Sequence, residues 1–140
     1  MSKTTSDISP SADEAVACTA ILLACVRSNE LDPLADNVVL EHVLRYGNIF
    51  QGNDITAIKE RAAEWYEQAG SPEALIEAAA PAVSAHTALP LFYQCLDVIL
   101  ADGVITPLEH KTFQFLKRKL RISESAAWKG VEVLEIKRKL

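Results

Sequence analysis

The sequence predicts an all-α fold, a single-domain bundle of about seven helices with a weak internal two-fold repeat of helical hairpins. Three observations predict it. Apolar residues recur at helical spacing through most of the chain, and helix-start signatures stand ahead of those runs. Nowhere do β-branched residues alternate with polar ones, as a half-buried strand requires. A chain of 140 residues, 49% hydrophobic and 24% charged, suits one domain with a real core.

Residues 1–11 read as a flexible N-terminal segment and 12–140 as the helical domain. Ser11-Ala-Asp-Glu14 is a capping box, with Ser11 bonding forward and Glu14 reaching back. The helix it opens runs through Cys18, Ile21, Leu22 and Cys25 to about Arg27. Asp32-Pro33 opens the second helix as N-cap and first-turn proline, continuing to about Tyr46. The third places Ile55, Ile58, Ala62, Trp65 and Ala69 on one face and Lys59, Glu60, Glu64 and Glu67 on the other, until Gly70 ends it. Ser71-Pro72 starts a short alanine-rich helix that stops near Pro81.

The fifth helix is expected to begin close to Thr87, because proline at Pro90 belongs in a first turn. It is apolar almost all round, from Leu89 to Leu100, which predicts a central place in the bundle. Thr106-Pro-Leu-Glu109 opens the sixth helix, with Leu108, Phe113, Leu116 and Leu120 facing inward. Ser123 caps a last helix carrying Trp128, Val131 and Leu134. An offset of 74 residues aligns "RSNELDPLA" with "ADGVITPLE", so that Asn29 matches Gly103, Asp32 matches Thr106 and Pro33 matches Pro107. Both corners then share a left-handed-tolerant residue, an apolar plug, an N-cap and a proline.

Several function classes fall away. A net charge of −5 argues against nucleic-acid binding by the whole surface. Cys18, Cys25 and Cys95 form an odd set without C-x-x-C spacing, each inside an apolar helical run, which predicts reduced thiols buried as small hydrophobes. The opening "MSKTTSDISPS" lacks the apolar stretch of a signal peptide, and "LPLFYQCLDVILA" is too short to cross a membrane, so the expected location is cytoplasmic. No G-x-S-x-G, phosphate-binding glycine loop or Cys/His dyad occurs, and His42, His86 and His110 stand far apart. The expectation is a protein without catalytic activity.

Two features carry chemistry. The first is "VILADGVITPLEH", where Asp102, Gly103, Ile105 and Glu109 coincide with the second half of a calcium-binding EF-hand loop. The first half is missing, because Val98 and Leu100 stand where oxygen donors belong. What remains is half a site, with the Asp102 carboxylate, the Thr106 hydroxyl and the Glu109 carboxylate as metal ligands. Such a set suits weak Ca²⁺ or Mg²⁺ binding better than Zn²⁺, since no His or Cys joins it. A metal-free reading stands beside it: Gly103 ends one helix in the left-handed conformation, and Glu109 caps the next. The matching corner carries Ser28 and Ala35 in place of the two acids, so this geometry does not depend on them.

"ADGVITPLE", between an apolar helix and an amphipathic one, resembles the TerB tellurite-resistance family, whose members carry such an Asp-Gly…Glu corner, often twice, in a seven-helix domain. The resemblance covers roughly residues 12–140 and places Asp102 and Glu109 on the family's acidic, metal-associated positions. It implies a non-enzymatic bacterial protein of tellurite and chemical-stress resistance, acting through metal ions and partner proteins at the periphery of the inner membrane. The chain departs from that pattern at Ser28, Asn29 and Ala35, where Glu30, Asp32 or Asp36 would have to substitute.

The second feature is charge polarity. Residues 1–109 hold 16 acids and 5 bases, a net −11, whereas residues 110–140 hold 9 bases and 3 acids, a net +6. Lys117, Arg118, Lys119 and Arg121, with Lys137, Arg138 and Lys139, make the basic end. It reads as a solvated helix face with cations near helix C-termini, or as a docking patch for an acidic partner or an anionic surface. No aromatic interrupts "KRKLR", which disfavours base stacking and hence specific nucleic acid. The expected function is a stress-response module of this kind, binding a divalent cation and protein partners. The alternative is a metal-free helical interaction scaffold; monomer and homodimer both remain open.

Overall fold

The computed structural model describes residues 12–27, 54–99 and 107–138. These are all-α, as expected, with no strand among them. In chain order they form α1 (Ala12–Arg27), α2 (Ile55–Ala69), α3 (Pro72–Ala79), a 3₁₀ turn (Ala80–Ala82), α4 (Ala85–Ile99), α5 (Pro107–Lys119) and α6 (Glu124–Arg138). The described residues thus hold six α-helices, where about seven were expected of the whole chain. The helix anticipated from Asp32-Pro33 to Tyr46 lies outside the described residues, as does the first corner with Ser28, Asn29, Ala35 and Asp36.

Helix α1 is the axis of the bundle. All twelve residues from Ala15 to Val26 are buried, so it presents no solvent face over three turns. A helix apolar on every side has to be enclosed. This one can be, because Ala15, Ala17, Cys18, Ala20, Ala24 and Cys25 are small enough to admit neighbours closely. Its one buried hydroxyl, Thr19, donates to the Ala15 carbonyl at 2.9 Å and so needs no outside partner. Helices α2, α3 and α4 and the 3₁₀ turn all pack against it. The fifth predicted helix, expected to be central, packs on α1, α5 and α6 as α4 and buries Leu91, Phe92, Cys95, Leu96, Val98 and Ile99, while leaving Leu89 37% exposed.

Local signals set the other helix ends. The Asp54 carboxylate accepts from the Ala57 amide at 3.2 Å and caps α2. Gly70, with φ of 85°, closes it in the left-handed conformation while its amide donates to the Tyr66 carbonyl. Ser71 caps α3 through the Ala74 amide at 3.1 Å, with Pro72 in the first turn. Ser123 caps α6 through the Ala126 amide at 3.1 Å. At the head of α1, the expected capping box is half visible, since Ser11 lies outside the described residues. The Glu14 carboxylate accepts from the Ser84 amide at 2.7 Å and from its hydroxyl at 2.8 Å. That hydroxyl has one proton, which goes to the charged acceptor. The Thr87 hydroxyl, 3.0 Å away, is then the donor in its own pair with Ser84. This contact ties the start of α1 to the start of α4 across 70 residues of chain.

It also explains a correction. Helix α4 begins at Ala85, two residues before the position expected from Pro90. The Thr87 and Ala88 amides both donate to the Ser84 carbonyl, so the helix nucleates there. Pro90 consequently sits in the second turn and has no N–H for the His86 carbonyl. Both residues are exposed, so water can serve that carbonyl.

Helix α5 buries Phe113, Leu116 and Leu120 as expected; the side chain of Leu108 is outside the description. Helix α6 packs differently from the expectation that Trp128 raises. Trp128 is 51% exposed and lies over Phe113 at 6.0 Å between ring centroids. Small residues do the packing: Ala127 and Gly130 are buried, and α6 lies against α4. A Cβ on Gly130 would stand 2.6 Å from the Tyr93 ring and 3.1 Å from Leu96 Cδ1. The Tyr93 ring cannot swing aside freely, because its hydroxyl donates to the Ala126 carbonyl at 3.0 Å.

The three cysteines are free and buried in one core. Cys18 and Cys25 are seven residues apart, on one face of α1, and Cys95 comes from α4. Burial pushes the Cys18 thiol up from 9.0 to about 12, with the nearby Glu14 charge adding to it. Burial also raises Cys95 well above its ordinary value, followed by its hydrogen bond with Cys25.

Two outcomes are expected. Gly130→Ala, which on helix propensity alone would stabilise by about 1 kcal/mol, instead lowers stability by about 1–2 kcal/mol through overpacking, read from urea unfolding. The Cys18 thiol is protonated in the fold, so its contribution to stability is complete below pH 9.0 and is lost as pH rises toward about 12. Unfolding free energy measured along that range falls less steeply in Cys18→Ala than in the parent. An equal slope in both would refute the assignment.

Candidate functional site

The expected metal ligands Asp102 and Thr106 lie outside the described residues, as does the side chain of Glu109. Among the described residues no group of three or more His, Cys, Asp or Glu is placed to hold a metal ion. His86 is exposed with Nδ1 3.3 Å from the Ser84 hydroxyl, and exposed His110 lies 6.5 Å from the Phe113 ring; His42 is outside the description.

The basic end is described up to Val133 at the level of side chains, and it divides into two kinds of cation. Lys117 is structural. Its side chain is only 12% exposed, and its ammonium donates to Glu124 at 2.6 Å, joining α5 to α6. That hydrogen bond holds the Glu124 carboxyl below the usual range. Lys119 reaches Glu77 on α3 at 3.6 Å, parallel to the Lys111–Glu73 pair at 3.5 Å between the same two helices. Exposed pairs of this kind contribute about 0–1 kcal/mol each. Arg118 and Arg121 meet no carboxylate among the described residues. Arg118 lies 5.2 Å from the Phe115 ring centre, and Lys119 is 5.4 Å from the same ring. The solvated-face reading of "KRKLR" thus describes Arg118 and Arg121 and fails for Lys117.

Arg121 is held in an unusual conformation. Its φ of 59° is the one positive value among the described non-glycine residues. The cause is the way α5 ends. The Ile122 amide donates to the Lys117 carbonyl at 2.9 Å, and the Arg121 amide to the Arg118 carbonyl at 3.2 Å. This pair of bonds is a Schellman motif, in which glycine normally takes the left-handed position. Arginine there costs about 1 kcal/mol, because its Cβ crowds the following carbonyl. Ile122, the next residue, packs on the core and locks the corner.

Beside this corner lies a groove of about 1010 Å³, open along one side. It runs between the α3 end, the 3₁₀ turn and the α4 start on one wall and the α5–α6 corner on the other. Ala80, Val83, Ala88, Leu89, Leu120 and Ile122 supply apolar lining, while Arg118, Lys119, Arg121 and Glu77 supply its charges. The hollow follows from composition. "AAAPAVSAHTALP" offers small side chains over 78–90, so two helix ends approach the corner without filling the space between. Sequence reasoning singled out the cations and missed the groove; the alanine run was its available signal.

The arrangement offers an apolar surface with charges at its border. An apolar trough takes up apolar side chains, and the Arg118 and Arg121 guanidinium groups offer forked donors to carboxylates at its edge. Arg121→Gly is expected to raise stability by about 0.5–1 kcal/mol by relieving the left-handed strain, while Arg121→Val lowers it. A urea midpoint shifted the same way by both substitutions would contradict the strain.

No helix among the described residues is long and apolar enough to cross a membrane. Compared with known proteins, the chain matches no family, no characterised protein and no solved structure.

Proposed function

We propose that this chain is a non-enzymatic helical interaction module that engages protein partners through its basic end. One observation carries the reading: Arg118 and Arg121 meet no carboxylate among the described residues and stand beside an apolar groove, Arg121 in a strained backbone conformation. Lys117 and Lys119 show that neighbouring cations in the same run do find acids within the fold. Strain kept by the surrounding structure at a surface corner is a pointer to function. The test is capture of cross-linked partners by the parent and by Arg118→Glu/Arg121→Glu. Loss of capture with unchanged helicity and thermal unfolding is expected; equal capture refutes the assignment of the basic end.

A second reading adds a cation. It rests on the tellurite-resistance resemblance of the sequence between α4 and α5, two helices that pack on each other. In that reading Asp102, Thr106 and Glu109 bind Ca²⁺ or Mg²⁺ weakly and make partner binding cation-dependent, in tellurite or other chemical stress. Amide shifts during titration with Ca²⁺, Mg²⁺ and Zn²⁺ decide it. Saturable shifts confined to residues 101–110 and lost in Asp102→Asn/Glu109→Gln are expected. Flat shifts up to about millimolar metal, the weak end of protein calcium sites, leave the metal-free module.

A further inference from the structure

We infer that the groove beside Arg121 receives an amphipathic α-helix of a partner protein, apolar on the face that enters and acidic along its edge. The inference rests on the docking reading above and adds the chemistry of what docks. Charge complementarity selects the acidic edge. Arg118 and Arg121 line the groove with no carboxylate of the described residues to satisfy them, whereas Lys119 on the same rim is already shared with Glu77. Two forked donors at the border of an apolar trough fit carboxylates that flank apolar side chains.

A helical backbone suits the occupant for a separate reason. A segment lying on apolar lining leaves its amides and carbonyls without water, so they need partners. An extended peptide finds them on an exposed sheet edge, and no strand exists among the described residues. A helix satisfies them internally. At about 1010 Å³ with one side open, the groove lies at the upper end of the roughly 300–1,000 Å³ of pockets that enclose small molecules.

Other occupants fit less well. No aromatic side chain lines the groove, so bases have nothing to stack on. A second copy of this chain offers acidic α2, but the apolar stripe of α2 is turned inward, with Ile58 and Ala62 buried and Ile55, Trp65 and Ala69 packed on the core. Acidic α2 therefore offers no free apolar face to the groove, which favours a partner protein as the source of one.

Three synthetic helical peptides with one shared leucine face test this, their flanking positions filled with Glu, Gln or Lys. They are titrated into the labelled full chain and followed by amide shifts. The Glu peptide is expected to move residues 80–89 and 118–126, and to bind at least about tenfold more tightly than the Gln peptide, as desolvated charge pairs do. Its advantage falls in Arg118→Glu/Arg121→Glu, and also in Arg121→Gly, a variant expected to fold more stably than the parent. The Lys peptide leaves the groove unmoved. Equal affinity for Glu and Gln peptides overturns the acidic occupant while leaving a docking groove in place. Shifts elsewhere on the surface, or none at millimolar Glu peptide, overturn the groove itself. Partner capture by the parent chain then decides separately whether the basic end docks anything. Peptide-independent self-association broken by the double variant points to a second copy and overturns the proposal.

Discussion

Everything in this fold depends on enclosing α1. Twelve consecutive residues without a solvent face mean that every neighbour of α1 has its position dictated by close packing. Enlarging an interior site such as Ala20 has no outlet and costs about 1–3 kcal/mol, since protein interiors are as dense as organic crystals. The same demand explains the small residues of α1. Alanine gives up no side-chain entropy on folding, and cysteine supplies slightly more volume without an obligatory hydrogen bond.

Two polar devices hold the enclosing helices in place without entering the core. Glu14 ties the head of α1 to Ser84 at the head of α4, and Lys117 ties α5 to Glu124 at the head of α6. Each joins a charge to the start of another helix, where capping groups concentrate. Cross-links such as Arg61–Asp13 and Lys111–Glu73 lie outside them, in water, and contribute little. The cations of the basic end are thereby sorted by what they reach. Those with an acid in range became part of the frame, and Arg118 and Arg121 remained available.

The corner that ends α5 is where stability and availability conflict. A glycine at position 121 would meet the left-handed requirement at no steric cost. Arginine meets it under strain and places a guanidinium beside a hollow that small side chains on α4 leave unfilled. Natural proteins violate local preferences most often where a site is built.

Helix class, most caps and the inward residues of α2 and α5 were legible from residue spacing, because helical periodicity and capping are local properties. Asp54, Ser71, Gly70 and Ser123 act where their types and neighbours say they should. The cations were equally visible as a run. Which of them mattered was invisible, because Lys117 and Arg118 differ only in whether another helix brings an acid within reach. The same holds for Trp128, left half in solvent because Gly130 lets α6 approach Tyr93 so closely. Composition and periodicity alone determined that this chain is a helical bundle with a basic end and buried thiols. Tertiary packing decided that α1 is its axis, that α4 starts at Ala85, and that an unfilled groove lies beside Arg121. Those outcomes depend on distances between segments far apart in the chain, which local sequence does not encode.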